Sequence, residues 1–467
     1  MPRSSRSLLP TVAAAVSLLS LTGVSPHAAQ AAGADSPAGA DGHCARMGEV
    51  RMDGAEKQVA ACLDDLTTDG TVTSGHTDPN DWSGLHAPGT QNPSGVPGIQ
   101  IDGYFPDTST FNKHHGWNHD SQFVLRLPDD WNGGLVVSGA PGVRTQYAND
   151  YIISDWVLAR GYAFASTDKG NSGTSFYTDG EQPADAVAEW HHRVSQLAEA
   201  AQAAVRDRYG SKPSRTYMFG ISNGGYLTRW QLENRPDLFD GGVDWEGTLF
   251  RDPGPNLFSY LPAALRHYPA YAATGDEDAH DAMIEAGFEP GSEFLWPYHY
   301  GVYWDLTQRI YREELDPGYD GDLQAGIPFC QSGTPNCDAD YDYGSRPQAV
   351  HDAMRRISLT GDIQRPMLTL HGDMDALLPI RTDSDVYDEM IERQGAAHRH
   401  RYYRVEDGTH VDSLYREYPD RIRPILPCAR AAFVALERWV QDRKAPPADH
   451  MIERPDGGDV VNTCSLR

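Results

Sequence analysis

The chain has 467 residues, with 66 acidic against 39 basic side chains and a formal net charge of −27. That imbalance repels polyanions, so nucleic acid and anionic membrane surfaces are disfavoured as partners. The length allows a large core with one inserted or appended unit.

Arg3 and Arg6 precede an apolar stretch from Leu8 to about Leu21, and the Ala-rich run Ala28-Ala29-Gln30-Ala31-Ala32 follows. Charged start, short apolar middle and small-residue end read as a secretory signal peptide over residues 1–31, too short to span a membrane. Without it the chain carries −29 and is expected to be extracellular. Six cysteines then suggest three disulfides. Proximity along the chain favours Cys44–Cys62, Cys330–Cys337 and Cys428–Cys464. Residues 32–95, rich in Gly, Ala, Asp, Ser and Pro, read as a loop-rich lead-in with one short helix near Glu56–Leu66.

A first core segment is expected over residues 96–246. Apolar runs at Phe123–Leu127, Leu135–Ser138 and Ala163–Ser166 read as strands, and Ala184–Tyr209 as a long amphipathic helix. The apolar run Thr216-Tyr217-Met218-Phe219 then meets Gly220-Ile221-Ser222-Asn223-Gly224, after which the chain can wind into a helix. Glycine, serine and glycine between strand and helix make a nucleophile elbow, in which a strained turn lifts a serine Oγ above the sheet.

Residues 247–346 are dense in Tyr, Trp, Phe, Pro and Gly and lose the strand–helix rhythm, which reads as an inserted lid. Its aromatics Trp296, Tyr298, Tyr300 and Trp304 could stack on a ring or could serve packing alone. Asp338, Asp340 and Asp342 alternate as hard-oxygen ligands do, a weak structural calcium candidate, because glycine falls at the seventh place and no acid at the twelfth. His114, His115 and His119 beside Asn112 and Lys113 lie around Gly116 and Asn118, which favours a surface turn over a metal site. No cofactor motif stands elsewhere.

The core resumes over 347–467. The strand Pro366–Leu370 runs into His371-Gly372-Asp373-Met374-Asp375, and His400–Val405 ends in a loop that carries His410. Serine, acid, histidine is the chain order of α/β-hydrolases. The fold expected is therefore α/β, a mostly parallel sheet covered on both faces. Ser222 would attack, His410 would take and return the proton, and Asp375 would orient the imidazole. Asp373 is a rival acid, as are Asp244 and Glu246 one strand earlier. The oxyanion hole would use the Asn223 backbone N–H with a second donor from the loop Ser138-Gly139-Ala140-Pro141-Gly142. Pro141 has no N–H, which leaves Gly139 or Ala140, unless the loop is only a Pro-Gly turn.

Several stretches taken together resemble the tannase and feruloyl esterase family of secreted α/β-hydrolases over most of residues 120 to 450. They are Leu127–Gly133, Arg160–Ala163, Ser166–Asn171, Gly220–Gly225, Arg235–Gly241 and Trp439–Gln441 before Pro446-Pro447. The resemblance implies Ser222, Asp375 and His410 as nucleophile, acid and base, with a lid that holds a phenolic acid. Members typically carry a cysteine before the serine and another beside the histidine; here those places hold Ile221 and Val411. Three functions follow as expectations: a secreted esterase of phenolic or short hydroxyacid esters, a prolyl- or tripeptidyl-type serine peptidase on the same fold, or a noncatalytic binding protein. The substrate would be a small or oligomeric ester, with neither nucleic acid nor membrane as partner.

Overall fold

The computed structural model describes residues 43–44, 46–107, 114–170, 173–319 and 338–467. The signal peptide reading and the Cys330–Cys337 pair lie outside these residues. Cys44–Cys62 and Cys428–Cys464 are both bonded as expected. No helix among the described residues is long and apolar enough to cross a membrane.

Among the described residues, ten strands form one sheet: β1 (Lys57–Leu63), β2 (Gly98–Phe105), β3 (Ser121–Pro128), β4 (Gly134–Gly139), β5 (Ala163–Thr167), β6 (Arg215–Ile221), β7 (Gly241–Trp245), β8 (Met367–Gly372), β9 (His400–Val405) and β10 (His450–Ile452). Their spatial order is β1-β2-β3-β5-β4-β6-β7-β8-β9-β10. From β5 through β10 neighbours run parallel, whereas β1, β2 and β3 pair antiparallel along one edge. Strands β3 to β8 are almost wholly buried, as parallel strands covered on both sides must be.

Two adjacent glycines in β7 show that both faces are covered. A Cβ on Gly241 would meet Leu436 and Val440 of the helix Leu426–Asp442, and one on Gly242 would meet Thr228 and Leu232 of the helix Asn223–Asn234. Successive residues of a strand point to opposite faces, so these helices lie on opposite sides. The long helix Asp185–Tyr209 joins the Asn223–Asn234 face, burying Val187, Trp190, Val194, Leu197, Ala201 and Val205 at helical spacing.

One expected element is corrected. Glu56–Leu66 is not a helix: Lys57–Leu63 is strand β1, in register with β2 along its whole length. Ala, Lys, Gln and Leu favour helix locally, but ladder pairing and the Cys62 disulfide outweigh a weak propensity. Between β7 and β8 the expected loss of strand rhythm takes the form of helices, at Leu257–Thr274, Glu277–Glu285, Trp296–Val302, Trp304–Leu315 and Gln348–Ile357.

Strand order reverses around β4. The chain leaves β4 for β5 on one side and returns to β6 on the other, so the carboxyl ends of β4 and β6 flank a topological switch point. A buried polar knot braces this edge. The Arg126 guanidinium on β3 meets both oxygens of Asp150 at 2.5 and 2.7 Å and also reaches Ser154 and Gln100. Neighbouring Asn149 donates to Ser138 Oγ and to the Gly139 carbonyl at the end of β4. Burial pushes the Asp150 carboxyl up to about 6 even beside this arginine. Arg126→Ala would strand Asp150 without a cation, and urea unfolding is expected to show a loss of about 3–5 kcal/mol.

Candidate active site

Ser222 sits between the last residue of β6 and the first of the helix Asn223–Asn234, at φ 58° and ψ −122°. A serine held in this region costs on the order of 1–3 kcal/mol and persists only where its surroundings dictate it. Here Ser222 N–H donates to the Trp245 carbonyl, and the Ser222 carbonyl accepts from Tyr226 and Thr248. The flanking glycines are required by close approach. A Cβ at Gly220 would lie 2.2 Å from the Gly224 carbonyl oxygen, one at Gly224 2.5 Å from that of Gly139, and one at Gly225 2.6 Å from Gly247 Cα.

The other two residues come from the ends of β8 and β9. A Cβ on Gly372 would fall 2.2 Å from the Gly408 backbone, so these loops touch at two glycines. Asp373 N–H bonds to the Val405 carbonyl and Met374 N–H to that of Gly408. This seam brings Asp375 Oδ2 to 2.8 Å from His410 Nδ1, and His410 Nε2 lies 3.1 Å from Ser222 Oγ. Asp375 Oδ1 accepts from the N–H groups of Leu377 and Leu378. Beyond the histidine, Asp412 accepts from Ile425 and Leu426 at the start of the helix Leu426–Asp442, which fixes the loop from its far side.

Electrostatics agree with this geometry. Burial opposes ionisation of Asp375, but His410 and His371 hold its carboxyl well below the usual range. Burial pulls the His410 imidazole down, and the Asp375 carboxylate more than restores it, leaving it raised.

The rival acids sit elsewhere. Asp373 faces Asp407, Glu289 and Glu406, and burial with those like charges pushes it up to about 7. Asp244 accepts from Arg229, Thr369 and Gly247. Glu246 lies near Asp375 and accepts from Gly372 N–H and Trp245 Nε1.

At the expected oxyanion loop one candidate is corrected. Ala140 N–H donates to the Thr167 carbonyl at 3.0 Å, because the β4–β5 ladder continues one residue past the strand. It is therefore committed to the sheet, while Gly139 stands against the elbow at Gly224. Lys169, buried at φ 76°, donates to the Ala140 carbonyl at 2.8 Å and holds the same loop. Asn223 adds a side-chain role that its backbone candidacy did not suggest. Its Nδ2 reaches the Gly142 carbonyl and the Tyr311 hydroxyl, and Thr248 donates to its Oδ1. Nothing local in the sequence pairs Asn223 with Tyr311, since the partner lies in another helix.

Of the aromatics, Trp296 and Trp304 are fully buried and pack on Phe288, and Tyr300 packs on Tyr268. Trp304 Nε1 also donates to the Ala376 carbonyl, beside Asp375. Tyr298 packs edge-on against Tyr303.

The calcium candidates bond protein partners: Asp338 meets Arg312, Asp340 the Tyr319 hydroxyl and Asp342 the Gly344 N–H. They are not among the described groups close enough to share one ion. Those groups are His43 with Cys44 and Cys62, whose sulfurs are bonded to each other; Asp107, Asp179 and Glu189, where Arg193 meets Asp107 and Glu189; and Glu246, His371 and Asp375. His115 bonds Asp120 and the His114 and His119 rings face each other, with Gly116 and Asn118 at positive φ as a turn requires. Asn112 and Lys113 lie outside the described residues.

A doubly covered, mostly parallel sheet with a serine elbow at its switch point defines the α/β-hydrolase class. Residues 111–244 match the family model for tannase and feruloyl esterase, and residues 330–465 match that for 3HB-oligomer hydrolase. The tannase and feruloyl esterase match covers less than a third of the chain, and is a similarity over that stretch. It is similar to a mono(2-hydroxyethyl) terephthalate hydrolase of Piscinibacter sakaiensis, 26% identical over 145 residues that cover 27% of this chain and 23% of that protein. It is also similar to a D-(-)-3-hydroxybutyrate oligomer hydrolase of Cupriavidus pinatubonensis, 29% identical over 125 residues that cover 26% of this chain and 18% of that one. The chain thus aligns with about a quarter or less of the length of these relatives. Among solved structures, an esterase from Aspergillus oryzae shares the fold at TM-score 0.51 and 14% identity, covering 87% of this chain and 90% of that one. Tannin acyl hydrolase from Aspergillus niger does so at 0.50 and 13%, covering 86% and 87%.

Because Gly224 leaves no room for a methyl group, Gly224→Ala is expected to push the elbow off the β4 loop. Thermal melting should fall by several degrees, and fluorophosphonate labelling of Ser222 should slow at least about tenfold.

Proposed function

We propose that the protein is a secreted serine esterase that cleaves carboxylic esters through an acyl-enzyme. The observation that carries this reading is the unbroken hydrogen-bonded line from Ser222 through His410 to Asp375 at the switch point. Ser222 Oγ would attack the ester carbonyl while His410 Nε2 takes its proton. Asp375 would hold the Nδ1–H tautomer and stabilise the imidazolium that forms. As the tetrahedral intermediate collapses, the carbonyl–oxygen bond to the alcohol breaks and His410 returns the proton to the leaving oxygen. Water then repeats the sequence and releases the acid and Ser222.

The oxyanion would rest on Asn223 N–H, at the amino end of its helix where donors are free of intrahelical partners. A second donor would come from Gly139, the last residue of β4, or from the loop that follows it. Residues 247–346 would serve as a lid, tied to the elbow by Tyr311 and to the acid turn by Trp304. The names of the two relatives, acting on a terephthalate ester and on hydroxybutyrate oligomers, favour esters of aromatic acids or short hydroxyacids. Two disulfides support an oxidising, extracellular setting.

Initial rates on methyl ferulate, methyl gallate, p-nitrophenyl acyl esters, hydroxybutyrate oligomers and prolyl peptides, beside Ser222→Ala, test this reading. Turnover of at least one ester class that disappears in Ser222→Ala is expected; ester turnover retained by Ser222→Ala sinks it. Cleavage confined to peptides would keep the site and change the substrate. Asp375→Asn should lower kcat by about 10⁴-fold, whereas Asp373→Asn should change it only a few-fold.

A further inference from the structure

Asp375 serves two histidines. His371, the last residue but one of β8, is fully buried, and its Nε2 lies 3.3 Å from Asp375 Oδ2, the oxygen that also meets His410 Nδ1. The same nitrogen is 2.9 Å from the Leu378 carbonyl, which can only accept, so Nε2 carries a proton. On the other side of the ring, Nδ1 is 2.6 Å from Ser384 Oγ, and Ser384 in turn accepts from Arg229 Nη2 at 2.7 Å. A line of polar contacts therefore runs from Arg229 on the elbow helix through Ser384, His371 and Asp375 to His410 and Ser222.

Three buried carboxylates, Asp244, Asp383 and Asp375, stand around this line against one arginine. Arg229 is matched by Asp244 and Asp383 at 2.7 and 2.8 Å. The groups facing His371 are Glu246 from the end of β7, Asp375 from the β8 turn, Asp383 before the helix Ser384–Arg393, Arg229 from the elbow helix and His410 from its loop. Asp375 must stay ionised to serve the triad, and a buried carboxylate needs a partner. Glu246, also fully buried, has its carboxyl pushed up to about 8 by burial and then by the Asp375 charge.

We propose that His371 is a positioning residue in the form of a buried imidazolium, which shares Asp375 with His410 and so limits how strongly that carboxylate favours protonated His410. This inference rests on the triad reading above. Burial works against the His371 charge, but Asp375 and Glu246 lift the ring to about 9, above the usual histidine range. The sign is fixed by Coulomb's law: a positive charge shared on Asp375 disfavours a second one on His410. Neutral His410 is the form that accepts the serine proton, so a charged His371 extends activity towards acid.

The test is the pH dependence of kcat/KM and of fluorophosphonate labelling of Ser222, in His371→Gln and His371→Asn beside the unmutated protein and Ser222→Ala. Both neutral variants should shift the acid limb upward by about one pH unit, a loss of about tenfold near pH 5.5, with values near pH 8.5 within about twofold and KM unchanged. An unmoved limb, or an effect confined to KM, overturns the inference. Ser222→Ala that keeps activity would instead overturn the triad reading beneath it. The unmutated protein offers a second reading free of any folding defect. With ¹⁵N-histidine labelling, one ring should remain doubly protonated at about pH 7.5 and be missing from the His371→Gln spectrum; no such ring, or one that persists in that variant with none lost, also overturns the inference.

Discussion

The arrangement at the carboxyl edge of the sheet depends on backbones that pass closer than any side chain would allow. At Ser222 the chain reverses from strand to helix through a conformation that a serine does not choose, and three glycines let the turn press against β4 and against Gly247 just past β7. At Gly372 and Gly408 a second such contact closes the loops of β8 and β9 on each other. The hydrogen bonds among Ser222, His410 and Asp375 are weak individually, on the order of 1 kcal/mol each in net terms. They cannot hold this geometry unaided. The glycine contacts set the positions, and the hydrogen bonds use them.

Around that frame several buried charged groups are held by specific partners. Arg126 with Asp150 braces the end of β4, Arg229 with Asp244 and Asp383 braces the elbow helix, and Lys169 holds the Ala140 carbonyl. Removing either partner would leave a desolvated group, which is why these knots are rigid as well as costly to disturb.

How much of this could be read from the residues follows from the range of the interactions. The elbow, β4 to β9 and the long helix from Asp185 announce themselves locally, through apolar runs and the glycine–serine–glycine turn. The serine–acid–histidine order was legible because each residue follows its strand directly. Strand β1 was not, because Lys57–Leu63 has no local reason to extend and does so by pairing with β2. The helices between β7 and β8 were hidden by their aromatic and proline content, which obscures a 3.6-residue period. Ala140 was misjudged because its N–H is claimed by Thr167, a partner that only the ladder reveals. His371 was visible as a letter beside the acid, but its contact with Ser384 depends on a helix that begins after the acid turn has folded back.

The seam between Gly372 and Gly408 also bears on how such a chain can vary. A methyl group at Gly372 would meet Gly408 backbone at 2.2 Å, and one at Gly408 would meet Gly372 Cα at 2.7 Å. Most crowded core positions can be relieved by shrinking a neighbour, so substitutions there come in compensating pairs. Here the neighbour is already the smallest residue there is. Neither position has a second-site suppressor within reach, and the pair forms a fixed point about which the acid turn and the histidine loop can drift only as one body.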